Sequence, residues 1–111
     1  APQDAAVAGT AGSKENRRTQ RETAAAARQQ KLARRRPLLK ESTQLEARIA
    51  RLETERKTLE AKLADTAYYA QTPSAEVQAT SRRCAEVIAE LGDVEERWLE
   101  VHAELEAIGD A

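Results

Sequence analysis

The sequence predicts an all-α fold, a two-helix antiparallel coiled-coil hairpin with a basic N-terminal helical extension. Three observations predict it. Charged residues make up 33% of the 111 residues and aromatics only 3%, with no Phe, so the large apolar side chains of a broad globular core are missing. Ala, Glu, Arg, Leu and Gln, which dominate, are good helix formers. Two separate stretches repeat apolar residues with the heptad spacing of coiled coils.

Residues 1–13, APQDAAVAGTAGS, are small and polar and bury too little to offset their ordering entropy, which predicts a disordered linker. Met is absent and the chain opens on Ala1, so the sequence is expected to be a piece of a longer protein tethered through this linker. Residues 14–36, KENRRTQRETAAAARQQKLARRR, form a basic helical lead-in with Leu32 as its only large aliphatic. Pro37 is expected to break or kink it, because proline removes a backbone donor and pushes Arg36 away from helical angles.

The hairpin is expected over residues 37–109. In its first helix, about 38–65, Leu38, Leu45, Leu52 and Leu59 occupy d positions, and Ile49 and Leu63 occupy a, with Ser42 and Arg56 interrupting the a row. In its second helix, about 74–108, Val77, Cys84, Leu91, Trp98 and Leu105 hold a, and Thr80, Val87, Val94, Val101 and Ile108 hold d. The turn, 66–73, contains both tyrosines. Thr72 is expected as N-cap and Pro73 as first helical residue, with Gly109 ending the helix. With the turn centred near residue 70, partners sum to about 140: Leu63 meets Val77, Ile49 meets Leu91 and Leu45 meets Val94. Trp98 falls opposite the small Ser42, and Arg56 opposite Cys84 with its charge reaching water. Each helix has one stripe that the other can cover, which favours a monomeric hairpin over a parallel dimer.

By the same rule Leu105 and Ile108 face Arg35 and Leu32. The lead-in is thus expected to stay helical from about Lys31 and to dock near the acids Glu100, Glu104, Glu106 and Asp110, which could neutralise the arginines internally. Charge is split along the chain: residues 14–40 carry ten Lys/Arg against two Glu, and residues 41–111 eight against sixteen Asp/Glu.

No catalytic or metal constellation emerges. His102 is the single histidine and reads as a structural or solvent-edge residue, and Cys84 as a small buried hydrophobe. One cysteine excludes an internal disulfide and a Cys-rich zinc site. The glycines Gly9, Gly12, Gly92 and Gly109 are too dispersed for a phosphate-cradling loop. No apolar run reaches the roughly 20 residues of a membrane span. The chain by itself is expected to be no enzyme and to bind no cofactor. The functional signal is the basic set Arg17, Arg18, Arg21, Arg28, Lys31, Arg34, Arg35, Arg36 and Lys40. Such clusters neutralise phosphate backbones without sequence choice, and no apolar face accompanies them as a membrane surface would require.

The chain resembles the C-terminal coiled-coil domain of ABC-F ATPases, ATP-binding-cassette proteins of the Uup and YheS kind. The resemblance covers roughly residues 30–108. It rests on RRRPLLKE (34–41), QLEARIARLETERKTLEAKLAD (44–65), the loop pattern LAD-x-x-x-Y-x-x-x-P (63–73) and E-x-x-W ending at Trp98. It implies a cytoplasmic parent with two ATP-binding cassettes that supply ATP binding and hydrolysis, and an accessory arm meeting DNA or rRNA, with the ribosome as a possible setting. Carried onto this sequence, Tyr68 or Tyr69 and Trp98 look like packing aromatics, and the Arg/Lys lead-in like the phosphate-facing surface. The alternative is a protein-interaction or spacer coiled coil that meets a ribosomal protein or the parent's ATPase domains. One tyrosine is expected to close the distal end of the seam, leaving the other available to a partner.

Overall fold

A computed structural model of the chain describes the backbone of residues 2–109 and the side chains of residues 12–109. Three helices follow one another: α1 over Pro2–Ala64, α2 over Thr66–Gln71 and α3 over Ser74–Ile108. The second half of α1 and the whole of α3 lie antiparallel, with α2 as the tip, in a rod of 101 × 15 × 14 Å. The architecture is the all-α helical hairpin that the heptads predict.

Heptad chemistry explains the seam. Every a and d residue of α3 from Val77 to Ile108 is buried or half-buried, and Val87 and Val101 are fully enclosed. Leu52, Val87, Leu91 and Val94 form the central cluster, against which Leu45, Ile49 and Leu59 pack. Cys84 is buried and carries a free thiol. One flank of the seam is closed by three ion pairs at seven-residue steps: Glu41 with Arg97, Arg48 with Glu90, and Glu55 with Arg83. Arg97 and Arg83 each grip their carboxylate with two nitrogens, at 2.6 and 2.8 Å and at 2.6 and 2.9 Å. These guanidinium bonds hold the Glu41 and Glu55 carboxyls below the ordinary glutamate range, against the opposing effect of desolvation.

Asp65 separates α1 from α2. Its backbone is extended, and its carboxylate accepts a 3.0 Å hydrogen bond from the Ala67 amide, the standard satisfaction of an orphan donor at a helix start. At the second boundary the structure moves the expected cap by one residue. Pro73 is the N-cap of α3, with no side-chain bond, and its carbonyl accepts from the Glu76 and Val77 amides. Thr72, extended as the residue before a proline tends to be, ends α2. Gly109 closes α3 at φ +82°, in the left-handed region, and donates its amide to Leu105 O.

Of the break or kink expected at Pro37, the structure shows no break: the helix runs through it. The proline lies on the outward face, and Pro37 and Ala33 are both exposed, so the carbonyl deprived of its donor is accessible to water. Packing on either side, by Arg35 and Leu38, keeps both segments aligned. The reading of residues 1–13 as a disordered linker falls almost wholly outside residues 12–109, whose side chains are described.

Candidate nucleic-acid interface

The site begins with a mismatch of lengths. α1 has 63 residues and α3 has 35, so α1 runs on past the level at which α3 ends. From Gly12 to Gln30 every side chain is exposed, whereas Lys31 and Arg35 are half-buried where α3 begins to cover them. The basic set sits on this arm and its junction with the hairpin.

The structure sorts that set by what each residue touches. Arg35 Nη1 donates to Leu105 O at 3.2 Å and to Gly109 O at 2.8 Å. It thereby satisfies orphan carbonyls at the C-terminus of α3, where the helix dipole is negative. Arg17 Nε donates to Ser13 O at 3.3 Å, and Arg18 pairs with Glu22 at 3.3 Å on the same helix. Arg21, Arg28, Lys31, Arg34, Arg36 and Lys40 make no ion pair or hydrogen bond among the described residues. The acids expected to neutralise the cluster are engaged elsewhere in part: Arg97 binds Glu100 and Glu104 at 3.3 and 3.7 Å within α3. Asp110 lies outside the described residues. Arg35 is thus tied to the carbonyls at the end of α3, while the exposed arm beyond it stays cationic.

The aromatics serve packing and capping. Tyr68 is half-buried, its hydroxyl 2.7 Å from Thr80 Oγ1. Thr80 donates its own proton to Glu76 O, so the tyrosine is the donor. Tyr69 stands edge-on to Tyr68 with ring centroids 5.9 Å apart, and donates to Leu63 O, a terminal carbonyl of α1. It nevertheless remains 51% exposed. Trp98 is half-buried, donates Nε1 to Glu46 Oε1 at 3.2 Å and lies against the His102 ring, with centroids 4.1 Å apart.

One polar centre was not legible in the sequence. Ser42, read as space for Trp98, is buried and forms the hub of a chain. Its Oγ donates to Glu46 Oε1 at 3.1 Å and stands 2.9 Å from His102 Nε2. Since the serine proton goes to Glu46, Nε2 of His102 supplies the hydrogen for the second bond. The only signal was a small polar residue at an a position four residues before a glutamate. The chain ties both helices to one register.

Among the described residues no group of three or more His, Cys, Asp or Glu side chains is placed to hold a metal ion. No helix there is long and apolar enough to cross a membrane. A family model described as the ABC transporter C-terminal domain matches residues 36–103, more than half of the chain. The match takes in most of the hairpin and leaves out α1 as far as Arg35. No curated protein and no solved structure matches the chain.

Proposed function

The chain belongs to the ABC transporter C-terminal domain family, and from that premise we propose that it is a non-catalytic accessory domain that holds DNA or rRNA on the basic face of α1. The parent is read as an ABC-F ATPase of the Uup or YheS kind, working in the cytoplasm with the ribosome as a possible setting. ATP belongs to cassettes outside this chain, which itself needs no cofactor, and the domain acts as a monomer. The carrying observation is that Arg21, Arg28 and Lys31, along the arm of α1, are cationic and without ion pairs among the described residues. Crowding like charges on one helix is unfavourable in isolation, and a polyanion relieves it while releasing counterions.

The test is a titration of the chain with a 20-base-pair duplex over a series of salt concentrations. Binding at low salt whose log affinity falls linearly with log salt is expected. Undetectable or salt-independent binding overturns the proposal.

A second reading, a spacer or interaction module contacting a ribosomal protein or the parent's ATPase domains, draws support from Tyr69, a 51% exposed aromatic at the hairpin tip. Under that reading the arginines are silent, and the same titration is flat.

A further inference from the structure

The seam of the coiled coil does not end with the hairpin. Its heptad phase, carried by Leu38, Leu45, Ile49 and Leu52, can be stepped back along the unbroken α1. The positions reached are Arg35, Lys31, Arg28, Ala24, Arg21, Arg17 and Lys14. Six of these seven are basic. At 3.6 residues per turn all seven lie within an arc of about 100°. The other cations point away from it: Arg18, Arg34, Arg36 and Lys40 fall on the e, g, b and f positions of the same frame.

Burial supports the phase independently of the spacing. Lys31 and Arg35, the last two positions that α3 can cover, are half-buried, while their neighbours Arg34 and Arg36 are exposed. The face that buries leucine inside the hairpin is therefore the face that displays the cations beyond it. A third helix does not suit this face, because coiled-coil seams need apolar knobs and burying a row of charges carries a desolvation penalty. A phosphate backbone suits it, because it meets the cations at the surface.

We propose that the seam-phase row Lys14, Arg17, Arg21, Arg28 and Lys31 is the contact surface, and that its ligand is a nucleic-acid duplex held by its phosphates. The inference rests on the nucleic-acid reading above and narrows it to one face and one ligand form. From Lys14 to Lys31 the row spans about 25 Å of helix, at 1.5 Å per residue. Single strands are held largely by bases stacking on aromatic side chains. The arm has none, since the aromatics of the chain are Tyr68, Tyr69 and Trp98. A regularly spaced row of charge fits a regular duplex, with no reading of base sequence.

The experiment compares two triple variants of the chain with equal charge loss. Arg17→Gln/Arg21→Gln/Arg28→Gln removes three cations from the row, and Arg34→Gln/Arg36→Gln/Lys40→Gln removes three from outside it. The probes are a 20-base-pair duplex of mixed sequence and one of its strands alone. Circular dichroism establishes that both variants retain the parent's helix content, which glutamine favours. For five contacts the parent's slope of log affinity against log salt is about −4.5. The row triple should reduce its magnitude by about 3, and the second triple by less than about 1. The duplex should bind at least about tenfold more tightly than the strand, as stacking is lost to the latter. Equal losses from the two triples, or equal binding of the strand, overturn the row and the duplex assignment while leaving nucleic-acid binding intact. A parent chain that binds neither probe overturns both proposals.

Discussion

Arg56 is a charge placed in a leucine row. It takes an a position opposite the buried Cys84, and its Nε is buried with no hydrogen-bond partner among the described residues. Glu60 is 3.8 Å away, too far for a hydrogen bond. A buried donor left unmade costs free energy, whereas an apolar side chain there would extend the ladder from Leu52 to Leu59. Arg56→Leu is expected to stabilise the hairpin by about 1 kcal/mol, the scale of a typical optimised position. Thermal unfolding followed by circular dichroism measures it, and an unchanged or lower Tm would show that the arginine stem already fills the space. Ser42 is the contrasting interruption, because its hydroxyl has partners on both helices and each of its bonds is made.

At the scale of the elements, the flank pairs give α1 and α3 a charge-defined register. Glu41, Arg48 and Glu55 advance by sevens along α1 while Arg97, Glu90 and Arg83 retreat by sevens along α3, and the sign alternates at each step. A slip of one heptad would set Glu41 against Glu90 and Arg48 against Arg83. The carboxyls of Glu41 and Glu55 titrate below their ordinary range in the folded chain, chiefly through their bonds to Arg97 and Arg83. The unfolded chain, with its glutamates near about 4.3, then takes up protons before the folded one. The stabilisation is present above that value and is lost as pH falls through the lower folded values. Thermal melts should thus show Tm falling from roughly pH 5 to pH 3. In Glu41→Gln/Glu55→Gln the decline should be shallower, and an identical decline would place the acid sensitivity elsewhere. Much of this arrangement was legible. Apolar heptads at 38–63 and 77–108 marked both seam faces, and the stretch 66–73 the turn between them. Illegible were features decided by tertiary context. Pro37 fails to break α1 because it faces outward between two segments anchored on α3. Arg35 points inward because α3 ends beside it. Ser42 acts as a hub because His102 and Glu46 converge on it from separate helices.

At the scale of the whole molecule, one helix plays two parts. Its C-terminal half is stabilised by α3, while residues 12–30 have exposed side chains and only local bonds such as Arg18 to Glu22 and Thr23 to Thr19 O. Isolated helices of this length are marginal in water, since most helical stability comes from packing an apolar face. The like charges of the row weaken it further. The arm should therefore open locally at small free-energy cost, and the hairpin only near the cost of global unfolding. Hydrogen exchange by mass spectrometry is expected to show amides of residues 14–30 exchanging orders of magnitude faster than those of 45–59 and 84–101. Adding duplex should slow the first group by about tenfold and leave the second unchanged, because phosphates neutralise the repulsion that frays the arm and bind its helical form. Protection appearing in the hairpin instead of the arm would move the contact to the acidic end of the rod. The charge division between residues 14–40 and 41–111 argues against that outcome, since a polyanion meets sixteen carboxylates and eight cations there but ten cations and two carboxylates here.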